Sequence, residues 1–154
     1  ASNIFHLIYQ MEDIRSWFEA TNQHTDHGSV VATFVIDDQT MLRISDRHTE
    51  HVVCAGGQVV LSAGEITFYI KGAEIEVIGI TNQSTGYCPN PDSLLAVELA
   101  LKTLEIDHPD YWTSAFEFRC CTHCFTKNLI KDAEFECAVC GAELDQEWNI
   151  DKIK

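Results

Sequence analysis

Residues 58–81 read QVVLSAGEITFYIKGAEIEVIGIT, and this stretch decides the fold. Ile66, Phe68 and Ile70 recur at every second position, the period of a strand with one face buried. Residues 74–81 continue as a second strand, and Lys71-Gly72-Ala73 between them supplies a hairpin turn. Residues 58–62 read as a further strand ahead of the pair.

Working outward, residues 30–36 form a β-branched apolar run, Asp37-Asp38-Gln39 is a turn, and residues 41–44 return as its partner. Residues 21–29 and 46–57 are polar and read as loops. At the N-terminus Ile4, Leu7, Ile8, Met11, Ile14 and Phe18 recur every three or four residues. That spacing predicts one amphipathic helix over 4–20, capped by Ser2 or Asn3. Downstream, residues 82–91 are rich in turn formers. A helix over 93–106 follows, capped by Asp92 or Ser93, with Leu94, Val97, Leu101 and Leu104 on one face. Residues 115–120 read as a strand. The expected fold is α+β, a mostly antiparallel sheet with two flanking helices.

The tail carries Cys121-x₂-Cys124 and Cys137-x₂-Cys140, separated by twelve residues. Each Cys-x₂-Cys turn aims two sulfurs at one point, and two such turns supply the four thiolates of a tetrahedral Zn²⁺ site. Gly141 gives the second turn the backbone freedom it needs. Residues 127–131 and 134–137 are the expected arms of a small hairpin between the pairs, which makes the segment a zinc ribbon. Four thiolates leave no open coordination position, so the expected Zn²⁺ is structural. The chain divides into an α+β domain over 1–118 and a ribbon appendage over 119–147.

Composition narrows the function classes. Net charge is −14, from 24 acidic and 10 basic residues. Between Arg119 and Glu143 the ribbon is acidic too, with Arg119, Lys127 and Lys131 set against Asp132, Glu134, Glu136 and Glu143. Phosphate backbones and anionic membranes bind Lys/Arg patches, so neither partner is expected. Seven cysteines, four of them in metal-like pairs, indicate a reducing compartment. The opening Ala1-Ser2-Asn3 has no signal-like pattern and no apolar run approaches about 20 residues. A cytoplasmic location is expected.

A second constellation lies between Arg47 and Pro89. His51, Glu65, Asn82, Ser84 and Tyr87 stand at strand ends and turns beside Gly56, Gly57, Gly64 and Gly86. His51 and Glu65 could serve as an acid–base pair, with Ser84 and Tyr87 orienting a ligand. The same Asn-x-Ser-Thr-Gly pattern also suits a capped turn whose side chains bond the local backbone. His24, His27, His48 and Cys54 form a looser set that could hold a second transition metal.

His51, the run Ala63-Gly64-Glu65-Ile66, and Asn82-Gln83-Ser84-Thr85-Gly86-Tyr87-Cys88-Pro89 together resemble a module of plant IQ-motif calmodulin-binding proteins of the IQM type, found also in bacterial proteins. That module carries a His, then Ala-Gly-Glu or Ala-Gly-Arg, then Asn-x-Ser-Gly-His-Tyr-x-Pro. The interval from His51 to Glu65 is the module's own. Val52 and Val53 replace two serines, and Gly86 replaces the module's second His. The resemblance covers about 40 residues and implies a shared strand hairpin. No IQ motif is present, so it does not imply calmodulin binding.

Two functions are expected from these features. One is a small zinc-stabilised interaction module, an adaptor or inhibitor presenting an acidic surface to another, basic protein. The other is a transferase- or hydrolase-type enzyme or small-molecule-binding domain with a cleft around His51, Glu65, Ser84 and Tyr87.

Overall fold

The computed structural model describes residues 5–150, so the proposed Ser2 or Asn3 cap and Ile4 lie outside the described residues. The fold is α+β. Strands β1 (His6–Ile8), β2 (Ser29–Asp37), β3 (Leu42–Asp46), β4 (Val60–Lys71) and β5 (Glu74–Ile80) form one sheet in the order β1-β3-β2-β4-β5. Every strand pair is antiparallel.

Alternation along β2 builds the two faces, because successive side chains of a strand point to opposite sides. Val30, Ala32, Phe34 and Ile36 enter the main core, where they meet Ile14 and Trp17 of helix α1 (Met11–Ala20) and Val97 and Leu101 of helix α3 (Leu94–Thr103). Val35 belongs to a smaller cluster with Cys54, Ala55, Val60 and Ala63, covered by the single helical turn α2 (His51–Cys54). That turn interrupts what the sequence reads as a loop.

The N-terminal segment differs from the expected single helix. His6–Ile8 pairs with Ile44–Leu42 of β3 as an edge strand, and the helix starts only at Met11. The switch is made by Asp13, whose Oδ2 accepts the N–H groups of Tyr9 (2.9 Å) and Gln10 (3.1 Å) and so caps the helix start. The apolar spacing of Leu7 and Ile8 fits either element. The open edge of β3 decides between them.

Two expected strands, 58–62 and 65–70, are one. Ala63 and Gly64 continue β4 opposite Val35 and Phe34. Gly64 is required there by a close approach: a Cβ on it would lie 1.8 Å from the Thr81 carbonyl oxygen.

The β2–β3 turn is held by the buried Asp37. Its Oδ1 accepts from the N–H groups of Gln39 and Met41, both at 2.9 Å, while Oδ2 pairs with Arg43 Nε at 3.0 Å. Ahead of α3 the cap is Asn90, which accepts from Asp92 N at 2.8 Å at the start of a 3₁₀ turn (Pro91–Ser93). The free edge of β5 is covered by the chain after α3: Val77 donates to Asp107 O and Thr113 to Ile80 O, both at 2.9 Å. An uncovered edge would template association with another chain.

The C-terminal ribbon opens with β6 (Phe118–Cys120) paired antiparallel to β7 (Lys127–Leu129). This replaces the expected pairing of 127–131 with 134–137, which is reduced to a single bridge, Lys131↔Glu134. Beyond residue 144 the chain folds back over the ribbon. Trp148 packs edge-on against Phe118, with ring centroids 6.4 Å apart, and Asn149 bonds both backbone polar groups of Cys120. Among the described residues no helix is long and apolar enough to cross a membrane.

Candidate metal centre

The two Cys-x₂-Cys turns repeat one hydrogen-bond pattern. In the first, Cys121 N–H donates to Thr126 O (2.8 Å) and Phe125 N–H returns to Cys121 O (2.8 Å). In the second, Cys137 N–H donates to Ala142 O (2.8 Å) and Gly141 N–H returns to Cys137 O (3.0 Å). Phe125 and Gly141 occupy equivalent places, and both have positive φ, 65° and 77°. Two such knuckles facing each other bring the four sulfurs together.

All four sulfurs lie within 4.8 Å of one another. Cys121 to Cys140 and Cys124 to Cys137 are each 3.6 Å. Four sulfurs about 2.3 Å from a central Zn²⁺ would form a tetrahedron with edges of about 3.8 Å, so the donor set fits such an ion. Charge makes the same point. The N–H groups of Cys140 and Val139 stabilise a thiolate at Cys137 and lower it to about 6. Against the pull of the Ala142 N–H, desolvation and the three neighbouring sulfurs push Cys140 up to about 12. Four sulfurs this close cannot all ionise without a cation among them.

The surrounding residues orient the sulfurs. His123 N and Cys124 N point at Cys121 Sγ (3.4 Å each), and Val139 N (3.4 Å) and Cys140 N (3.5 Å) at Cys137 Sγ. Asn128, on β7, joins the two knuckles: its Nδ2 donates to Cys137 Sγ (3.6 Å) and its Oδ1 accepts from Ala138 N (3.0 Å). Such outer partners hold ligands in place. Sequence spacing carried no signal for Asn128. Nor did it mark the buried Arg119, which stacks on Phe135 and Trp148 and donates to the carbonyls of Asp145 (3.2 Å) and Gln146 (2.8 Å).

The central set is placed differently. His51 Nε2 is 2.9 Å from the Gly64 carbonyl, so this nitrogen carries the proton, and burial lowers the ring's pKa. Tyr87 donates its hydroxyl to Gln58 O at 3.0 Å. Ser84 is buried and its Oγ accepts from Tyr87 N at 3.2 Å. Asn82, fully buried, donates to Pro89 O and Phe116 O and accepts from Phe116 N. Glu65 lies on β4 opposite Thr33. His51, Ser84 and Tyr87 each engage a backbone group nearby, and none of the five lines any of the three surface clefts described.

His24 and His48 line one cleft of about 390 Å³ with Arg47 and Asp46. The His27 side chain is almost fully exposed beside Asp26. Cys54 is buried, its thiol 3.6 Å from Arg43 O. Among the described residues the four cysteines of the ribbon are the one group arranged to hold a metal ion. No family model, curated protein or solved structure matches the chain.

Proposed function

We propose that this is a small cytoplasmic protein stabilised by structural Zn²⁺ that serves as an interaction module, an adaptor or an inhibitor, presenting an acidic surface to a basic protein. The observation that carries this reading is the closed thiolate centre. Its four positions are all filled by cysteine, so the metal shapes the ribbon and has no site for substrate. The reading is further supported by the central polar side chains, which bond backbone groups. The resemblance of residues 51–89 to the IQM-type module then bears on turn architecture. In this proposal both share the strand hairpin of β4 and β5.

The test has two arms. Atomic emission on the purified protein should give one zinc per chain. Affinity capture from an extract, with the zinc-loaded chain and with a chain whose ribbon glutamates are changed to glutamine, should recover one basic partner in stoichiometric amount that the second bait loses. Recovery of equal partners by both baits would remove charge as the basis. A small metabolite that raises the melting temperature, with the shift abolished by His51→Gln, would favour the enzyme or ligand-binding alternative instead.

A further inference from the structure

The two knuckles match in backbone but not in side chain. At the position where the second has Gly141, the first has Phe125, a bulky aromatic in the left-handed region at φ 65°. Glycine adopts such a φ at no steric cost, whereas Phe is strained there. Burial does not offset this strain, because Phe125 is 77 % exposed. Val139, between the cysteines of the facing knuckle, is 70 % exposed. The clustered sulfurs fix the two knuckles against each other, so both side chains belong to the metal-binding end of the ribbon.

A second frustration flanks the second knuckle. The bridge Glu136↔Glu143 sets two exposed carboxylates directly across from each other at the base of the second knuckle, where like charges repel. Among the described residues no ion pair reaches either of them. Over residues 119–150 the exposed charges are six carboxylates against Lys127 and Lys131, since Arg119 is buried.

We propose that the knuckle end of the ribbon is a docking surface for a protein segment in which an apolar side chain sits beside Lys or Arg. The apolar group would cover Phe125 and Val139, and the cation would relieve the Glu136–Glu143 pair. Charge selects this occupant. A nucleic-acid backbone, an acidic peptide or a second copy of this chain, itself at −14, would each be repelled. The proposal rests on the interaction-module reading and gives it a location.

The probe is a library of random-sequence peptides displayed on phage, selected against the full zinc-loaded chain. Synthetic copies of the enriched peptides are then titrated against wild type, Phe125→Gly, Glu136→Gln/Glu143→Gln and Leu95→Ala/Leu99→Ala. The last variant removes the exposed leucines of α3. Enriched peptides should pair Lys or Arg with an aromatic or long aliphatic residue, and should lose at least about tenfold in affinity to Phe125→Gly. They should weaken with added salt and with the Glu→Gln pair, and be unaffected at α3. Phe125→Gly should keep its zinc, which separates lost contact from lost fold. Peptides insensitive to Phe125→Gly but sensitive at α3 would overturn the site and leave the module reading standing. Binders without basic residues would overturn the partner chemistry. Failure to enrich any peptide would overturn both readings.

Discussion

The side chain of Asn82 pairs with the backbone of Phe116 as a neighbouring strand would: Phe116 N–H donates to Oδ1 at 2.7 Å and Nδ2 donates to Phe116 O at 2.8 Å. Four residues later Asn149 does the same to Cys120, with both bonds at 2.7 Å. The strand leading into the metal centre is thus held at each end by an asparagine amide, one from the sheet domain and one from the chain's return over the ribbon.

Asn82→Ala should therefore act on both parts of the molecule. It orphans the N–H and C=O of Phe116 together with Pro89 O, at about 1–3 kcal/mol for each buried group left without a partner. Chemical denaturation should show a loss of at least about 2 kcal/mol. Limited proteolysis should reveal new cleavage near residue 116. Asn82→Asp should be as damaging, because it replaces both donors with a buried charge.

Removing the metal should unfold the ribbon and spare the sheet, since binding free energy in a thiolate site is folding free energy, on the order of 10 kcal/mol. Trp148 stacks on the ribbon, whereas Trp17 is buried in the sheet core. Strong chelator, or Cys137→Ser, should shift tryptophan fluorescence through Trp148 while the far-ultraviolet signal of the sheet persists. Acidification should release the ion, because the ligands must lose protons to bind it.

The paired positive-φ positions should respond oppositely. Phe125→Gly relieves a left-handed strain of about 1–2 kcal/mol at an entropic cost of about 0.5–1, so thermal stability should hold or rise slightly. Gly141→Ala imposes the strain that Gly141 avoids, and the ribbon should lose about 1 kcal/mol. Melting curves with and without chelator would separate this local effect from the sheet.

Gly64→Ala should be among the most destabilising single changes in the sheet. The new methyl group would overlap the Thr81 carbonyl, and backbone on both sides must move to admit it. A loss of about 3 kcal/mol or failure to accumulate in soluble form is expected.

His51 gives a stability profile with a defined sign. Its folded pKa lies below the usual 6.5 because burial disfavours the charged ring, so in the window just below 6.5 the unfolded chain binds the extra proton. The contribution is complete above 6.5 and is lost as the pH falls through the folded value. Denaturation at pH 7.5, 6.5 and 5.5 should show wild type losing stability more steeply than His51→Gln. Parallel slopes would mean that His51 is not held neutral in the fold.

Much was written in local pattern. The period of two in 65–70 and 74–81, the spacing of Val97 and Leu101, and the two Cys-x₂-Cys turns each depend on residues a few positions apart, and short-range geometry is what a sequence displays. Tertiary structure decided what depends on unclaimed backbone groups. The open edge of β3 drew His6–Ile8 out of a helical pattern. Phe118–Cys120 took the partner expected at 134–137 because the knuckles, closing on one set of sulfurs, set the register of the strands beside them. Asn82, Ser84 and Tyr87 looked fit for chemistry because a side chain that can bind a ligand can equally bind a carbonyl or an N–H. Partly or fully buried peptide groups took Asn82 and Ser84 as partners, and Tyr87 bonded the exposed Gln58 carbonyl.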